Sequence, residues 1–335
     1  MLINKMRSIR EIKNFEGKRV LLRADWDVLV EDGKIVDTTK VDNSFETMNY
    51  ILDNGGKVLV LSHFGREGKS LKPVYEYVNG IMPAVFFEDL ETIPDEKIVI
   101  LENTRKFEGE KENSEEFTQK LASLGDIFVN DAFASSHENH ASIVGIPKLL
   151  PSYAGLHFMQ EYKNLSRALD PLHPFLLILG GAKFDTKLPL VKKFLDIADD
   201  IFVLGAISKP ASEMDIVNNP KIILPVGDVA ALDGNSETVA LIKEKSEKAK
   251  FILWNGPLGK YEEGYTEGTK KLAQILADIC ISKNIEVIVG GGDTLTAIKE
   301  LGIKDKFTFV SSAGGAMLDF LATGTLPGIE VLNSL

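Results

Sequence analysis

The sequence predicts an α/β protein with two doubly wound parallel-sheet lobes joined by a hinge helix. Three observations carry that prediction. Short apolar runs recur along the whole chain, most without the period-two alternation of a half-exposed strand, so they read as strands buried on both faces. Helix-like segments lie between them, and strands alternating with helices imply a parallel sheet covered on both sides. The length of 335 residues exceeds what one hydrophobic core usually serves.

In chain order, RVLLRAD from Arg19 reads as the first strand. DNSFETMNYILDNG from Asp42 spaces its apolar residues by three and four, as an amphipathic helix does, and leads into the strand KVLVLSH. KIVILEN follows, then the helix NSEEFTQKLASLG, with Asn113 as its N-cap, Glu116 at the third helical position and Gly125 as its stop. DIFVND is the next strand. In LLPSYAGLHFMQEYKNLSRALDPLHP, Pro151, Ser152 and Gly155 break the chain, an amphipathic helix follows, and Pro171 and Pro174 end it. That helix is either a hinge between lobes or part of the second lobe. FLLILGG, DIFVLG, KIILPV, FILWNGP, IEVIVGGG and FTFVSS then read as strands, with the helix TEGTKKLAQILADICISKN before the fifth. The expected division is residues 1–153 for the first lobe, 154–320 for the second, and 321–335 as a tail.

Composition narrows the function classes. The formal charge is −11 with no Lys/Arg-rich block, which argues against nucleic acid as the main partner. A small anionic ligand stays possible, because a few cations in a cleft set the local field. The single cysteine, Cys280, lies in a helical run and reads as a buried core thiol. No window approaches the roughly 20 apolar residues of a membrane span, and the N-terminal stretch lacks a signal-peptide core. A reducing cytoplasm is the expected location.

Residues 61–72, LSHFGREGKSLK, place Gly-Lys-Ser behind a strand-like run, which is the spelling of a phosphate-cradling P-loop. That loop needs a glycine five places before the one preceding lysine, so that the backbone can curl around phosphate oxygens. Counting back from Gly68 reaches His63, whose imidazole would crowd the turn, and Gly65 falls too late. Lys69 and Ser70 only imitate the motif. No G-x-G-x-x-G follows any strand either, which sets a dinucleotide-dependent dehydrogenase aside.

Ligands of open parallel sheets bind beyond the carboxyl ends of the strands. In the first half those ends carry Asp25 and Asp27, His63 and Arg66, Glu102, Asn103 and Arg105, and Asn130 and Asp131 with His137 and His140 nearby. In the second half they carry glycines: Gly180 and Gly181, Gly205, Gly256 and Gly259, Gly290 to Gly292, Gly314 and Gly315. Arginine forks and imidazoles suit a small carboxylate- or phosphate-bearing anion. Glycines before helix starts let phosphates approach bare backbone N–H groups at the positive end of a helix dipole. In GGGDTLTAIKEL, Asp293 and Thr294 open such a helix, and Asp293 is a candidate ligand for Mg²⁺ beside phosphate oxygens. Lys183 and Lys187, four apart in LGGAKFDTK, are candidates to neutralise a phosphoryl group in transfer.

Structural roles compete at each position. Any one glycine after a strand is more often a simple turn. His137 and His140 form a pair with no third metal ligand in view, and His157 and His173 read as structural. Trp254 reads as core, Asp25 and Asp27 as possible partners of nearby arginines, and Tyr261, Glu262 and Glu263 as a solvated loop.

Taken in order, RADWD, LSHFGR, LENTRKFEGE, VNDAFASSHENHAS, ILGGAKFDTK, LPVGDVAALD, WNGPLGKYE, VGGGDT and SSAGGA resemble the successive signature blocks of the phosphoglycerate kinase family, from about Arg19 to Gly328. The resemblance implies two Rossmann-like lobes, 3-phosphoglycerate on the first, ATP or ADP with Mg²⁺ on the second, and a hinge that closes for phosphoryl transfer by a monomer. By position it assigns Asp25, Asp27, Lys40, His63, Gly65, Arg66, Arg105 and His137 to the glycerate ligand. Gly181, Lys183, Lys187, Asn255, Pro257, Glu262, Gly291, Gly292, Asp293 and Thr294 fall to the nucleotide, with Asp293 on the metal. Lys40, Lys183, Gly292 and Gly315 fall to transfer itself. The tail LPGIEVLNSL is expected to pack on the first lobe.

Some positions depart from the family. Lys40 replaces an arginine, keeping the charge but losing the planar fork. Glu138 replaces an arginine beside a histidine, Asp27 an asparagine, and Ala313 the first glycine of the last block. The stretch from Leu204 to Val226 is shortened where the family shapes its adenine pocket. Like charges some 4 Å apart at an effective dielectric near 20 repel by about 4 kcal/mol. Phosphoglycerate binding should therefore weaken unless Arg10, Lys18 or Lys106 compensates. A working kinase and a nucleotide-binding relative with altered acceptor are the two readings this leaves.

Overall fold

The computed structural model describes residues 6–65 and 68–334. The chain forms two compact units. The first runs up to Tyr162 and takes in the stretch from Thr325, and the second is Lys163–Gly324.

In the first unit, β1 (Arg19–Arg23) is followed by the hairpin strands β2 (Val30–Glu31) and β3 (Lys34–Ile35), then β4 (Lys57–Leu61), β5 (Val85–Phe87), β6 (Ile98–Leu101), β7 (Ile127–Asn130) and β8 (Ser152–Ala154). Six of these build one parallel sheet in the order β5-β6-β4-β1-β7-β8. Its helices are α1 (Thr39–Asp42), α2 (Phe45–Asp53), α3 (Lys72–Asn79) and α4 (Glu115–Ala122). The strands lack alternation because both faces are covered. Val20, Leu22, Val58 and Val60 enter a core with Met48, Ile51 and Val74. Leu21, Leu59, Leu61 and Phe128 enter another with Phe117 and Leu121.

The division between units falls inside α5 (Leu156–Ser166). The second unit then holds β9 (Phe175–Leu179), β10 (Asp200–Val203), β11 (Ile222–Ile223), β12 (Phe251–Asn255), β13 (Glu286–Gly290) and β14 (Phe309–Val310). They form a parallel sheet in the order β11-β10-β9-β12-β13-β14. Its helices are α6 (Phe184–Phe194), α7 (Ser208–Ser212), α8 (Ser236–Ser246), α9 (Glu267–Lys283), α10 (Gly292–Glu300) and α11 (Gly315–Thr323). The last helix, α12 (Pro327–Asn333), belongs to the first unit. Its Gly328 N–H donates to Ser136 O at 2.9 Å, and Val331 packs on Ile143 and Val144. Among the described residues, no helix is long and apolar enough to cross a membrane.

Both sheets place a topological switch point at their middle. The chain leaves β1 toward β4 on one side and β7 toward β8 on the other; it likewise leaves β9 toward β10 and β12 toward β13. The crevices that suit ligands therefore lie beyond β1 and β7, and beyond β9 and β12.

Local details differ from the sequence expectation. The cap of α4 is Ser114, whose hydroxyl accepts from Phe117 N–H, while Asn113 takes φ 51° one residue earlier. The hairpin was not expected, although Asp32 and Gly33, both with positive φ, fit the Asp-Gly turn that favours one. KIILPV keeps only two strand residues at the sheet edge. Cys280 is half-buried against the core rather than fully enclosed.

The N-terminal end of α5 is held by a carboxylate. Asp131 Oδ1 accepts the Phe158 N–H at 3.0 Å, and a side chain at Gly155 would overlap that oxygen. Burial pushes the Asp131 carboxyl up to about 6 against the hydrogen bonds it accepts. A folded-state value above the unfolded one means that the ionised form costs stability, present below the unfolded pKa and lost as pH rises through about 6. Asp131→Asn should therefore gain on the native chain by about 2–3 kcal/mol between pH 4 and pH 7 in denaturant unfolding. A difference that stays constant over that range would contradict this.

Candidate active site

The end of β1 sets the first unit's site. Arg23, the last residue of β1, is fully buried and registers against Asn130 at the end of β7. Its Nε donates to Ser142 Oγ at 2.9 Å, one Nη to the Ala24 carbonyl, and the other to His63 Nδ1 at 2.8 Å. Ser142 is held from behind by the buried Glu110, which accepts its backbone N–H and its hydroxyl. Burial lowers the Arg23 pKa, and Glu110 and Asp25 oppose that.

Because a guanidinium only donates, His63 Nδ1 must accept, and the imidazole proton sits on Nε2. Nε2 lies 3.6 Å from Asp27 Oδ2. Burial and the charges of Arg23 and Arg105 lower the His63 pKa against the pull of Asp27, so the ring is neutral. Asp27 Oδ1 accepts the Gly65 N–H at 2.8 Å. Burial alone would raise the Asp27 carboxyl, but the His63 and Gly65 donors hold it well below the usual carboxylate range.

Gly65, with φ 67°, also presents its carbonyl to Arg105 Nη1 at 3.0 Å. Arg105 is carried on the turn Thr104–Lys106, whose preceding Asn103 caps it and ties down the Phe64 and Lys69 carbonyls. Lys40, in the short helix α1, pairs with Asp25 at 3.1 Å. Burial would depress Lys40, but Asp25 overrides it and raises the pKa. His137 is partly exposed, with Nε2 3.5 Å from Glu138 Oε1.

Asp25, Asp27, Lys40, His63, Gly65, Arg105 and His137 are thus all joined to neighbours at one end of the first sheet. Arg66 lies outside the described residues. The compensating cations expected from the sequence are engaged elsewhere: Arg10 with Glu46, Lys18 with Asp126, and Lys106 with Glu102. Arg23, Glu110 and Ser142 were missed as members of the site. Arg23 was legible as a charge inside an otherwise apolar strand.

The second unit's strand ends meet backbone to backbone. Gly180 N–H donates to the Asn255 carbonyl and Gly181 N–H to that of Pro257, while Gly256 N–H donates to Thr294 Oγ1 at 3.1 Å. A Cβ at Gly180 would lie 2.1 Å from Pro257 O, and one at Gly256 2.4 Å from Gly180 O, so neither position accepts a side chain. Beneath Gly291 is the buried Asn255, whose amide would lie 3.5 Å from a Cβ there. Gly291, at φ 97°, precedes α10 with no side-chain cap, leaving the first-turn N–H groups of Gly292, Asp293 and Thr294 without intrahelical acceptors. Gly314 likewise precedes α11 at Gly315.

Lys183 is the residue before α6, and Lys187 is one turn inside it. Lys187 Nζ donates to the Gly180 carbonyl. Burial lowers Lys187 to about 8, with Asp293 opposing. Burial and the Glu262 carboxylate raise the Asp293 pKa, and Lys187 only partly offsets them. A carboxylate pushed upward by burial and a like neighbour lacks positive charge. That fits a divalent cation beside Asp293, with anionic oxygens at the helix start. Tyr261 is engaged with Glu300, and Trp254 is fully buried in the core.

The tautomer of His63 is directly measurable. Nitrogen-resolved NMR of imidazole-labelled protein at pH 7 should show His63 neutral with its proton on Nε2 and a pKa below the ordinary 6.5. A proton on Nδ1, or an imidazolium, would contradict the Arg23 contact.

The chain is similar to proteins already known. The sequence model described as phosphoglycerate kinase matches residues 9–214 and 208–324. The phosphoglycerate kinase of Finegoldia magna is 35% identical, covering 96% of this chain and 97% of that protein. That alignment runs over 388 positions, more than the 335 this chain possesses, so the fold is shared with segments deleted. The phosphoglycerate kinase of Thermosipho africanus is 34% identical over 96% of both. Among solved structures, the phosphoglycerate kinase of Coxiella burnetii superposes with a TM-score of 0.86 at 29% identity, covering 98% of this chain and 99% of that one. With the family model and relatives matching along nearly its whole length, and the fold shared with a solved member, the chain belongs to the phosphoglycerate kinase family.

Proposed function

We propose that the chain transfers a phosphoryl group reversibly between ATP and the carboxylate of 3-phosphoglycerate, giving 1,3-bisphosphoglycerate and ADP, as a step of glycolysis and gluconeogenesis. The observation that carries the proposal is the contrast between the two switch points. One is walled by Arg23, Lys40, His63 and Arg105, and the other by glycines opening onto a bare helix N-terminus. Relatives that match along nearly the whole chain carry the kinase's name, which supports this reading over a binding-only relative.

In this reading the acceptor lies against Arg105, His63, the Gly65 backbone and His137, with Asp25 holding Lys40 and Asp27 holding His63. The nucleotide phosphates meet the first-turn amides of α10, from Gly291 to Thr294, with Lys187 and Gly181 on one side and Asn255, Pro257 and Glu262 on the other. Asp293 would hold Mg²⁺, which supplies charge neutralisation to the phosphate oxygens when bound. A carboxylate oxygen attacks the γ-phosphorus as the bond to the bridging oxygen breaks, leaving that electron pair on ADP. Such in-line transfer asks the protein mostly for positioning and neutralisation. Lys183 and Lys40 face the moving phosphoryl, with the amides of Gly292 and Gly315. Asp25 holds Lys40 protonated, so it acts as a fixed positive charge and not as a proton donor. Bending about α5 brings the acceptor and nucleotide together, and the protein works as a cytoplasmic monomer.

Turnover with 3-phosphoglycerate and MgATP, coupled to removal of the acyl phosphate, tests the proposal. A rate above background is expected, and Lys40→Met should lower kcat about 100-fold or more while the KM for ATP moves less than threefold. No rate above background with nucleotide demonstrably bound would reject it.

A further inference from the structure

The carboxylate of Glu138 lies where three nitrogen-bearing side chains converge. Oε1 is 3.6 Å from Arg105 Nη2 and 3.5 Å from His137 Nε2, and Oε2 is 3.4 Å from His140 Nε2. Beyond these, His140 Nδ1 approaches the buried Glu110 at 4.0 Å, Arg105 Nη1 is held by the Gly65 carbonyl, and Arg23, His63 and Asp27 lie behind Gly65. Two buried nitrogens in the cluster, Arg105 Nε and His140 Nδ1, have no hydrogen-bond partner.

Charge at this strand-end site is balanced against an anionic ligand. Beside the Lys106–Glu102 pair, its described cations include Arg23, Lys40 and Arg105, and its carboxylates Asp25, Asp27, Glu110 and Glu138. Most of these carboxylates are locked. Asp25 holds Lys40, Asp27 accepts from Gly65, and Glu110 is buried on Ser142. Glu138 differs. Its contacts of 3.4–3.6 Å are all longer than a charge-assisted hydrogen bond, whereas Asp27, although more exposed, is fixed by the Gly65 N–H at 2.8 Å. Of these described carboxylates, Glu138 alone can be displaced without breaking a contact shorter than 3.4 Å.

We propose that Glu138 is a specificity-determining residue, an internal anion that occupies the Arg105 guanidinium and must be displaced by the phosphate of the acceptor. The proposal rests on 3-phosphoglycerate being that acceptor. When the phosphate takes Arg105, Glu138 remains in reach of His137 and His140, so the displaced charge keeps partners. Glu138 thus sets a weak affinity for anions at the acceptor site without touching the nucleotide side.

Calorimetry with 3-phosphoglycerate and, separately, with inorganic phosphate, beside steady-state kinetics, tests it on the full chain and two variants. Glu138→Gln should tighten both ligands about tenfold and lower the KM for 3-phosphoglycerate to match. The KM for ATP should stay within twofold and kcat within about threefold. Glu138→Arg should tighten both ligands further. Unchanged or weakened binding of both ligands in Glu138→Gln would overturn the proposal. If inorganic phosphate tightens about tenfold while 3-phosphoglycerate neither binds nor turns over in any variant, the role of Glu138 stands and the acceptor assignment fails.

Discussion

A buried guanidinium is the fixed point of the first unit's strand-end site. Arg23 has no solvent to satisfy it, so its nitrogens turn to protein acceptors, Ser142, the Ala24 carbonyl and His63, around which the site is built. It dictates the tautomer of His63, which turns Nε2 toward Asp27, which in turn holds the Gly65 amide; the Gly65 carbonyl then receives Arg105. Through Ser142 the same guanidinium is linked to Glu110, whose carboxylate faces His140. The positions of half a dozen side chains on four strand ends follow from where one charge is buried.

The second unit's strand-end site is built by the opposite means. It places few charges at the strand ends, Lys183, Lys187 and Asp293 among them, and removes side chains, so that backbone groups approach one another and leave helix starts bare. Gly180 and Gly256 cannot carry a Cβ without colliding with neighbouring carbonyls. Lys187 is drawn to the Gly180 carbonyl and weakened in basicity by burial. A charged phosphate arriving there would replace a poor acceptor with a strong one and raise the lysine's pKa again.

Much of this was legible in the sequence. Apolar runs without alternation correctly announced strands covered on both faces, since Val20 and Leu22 enter one core while Leu21 enters another. The contrast between polar and glycine strand ends was visible as residue types alone. What could not be read was pairing. Nothing in RADWD says that Asp25 takes Lys40 while Asp27 takes His63, because those contacts depend on where α1 and the Gly65 turn are placed in space. The hairpin escaped notice because its strands are two residues long, too short for a periodic signal. The cap of α4 was misplaced by one residue because Asn113 and Ser114 are both good caps, and only the backbone, left-handed at Asn113, chooses between them.

The central claim is that two sites of different physical character, one cationic and one of bare amides, hold the two halves of a single phosphoryl transfer. A crystal structure with 3-phosphoglycerate and a non-hydrolysable ATP analogue bound together tests it most directly. The account requires the acid against Arg105, His63 and the Gly65 backbone, and the nucleotide phosphates on the first turn of α10 beside Asp293. Nucleotide phosphates seated on the 61–72 stretch, or the acid bound away from Arg105, would contradict it.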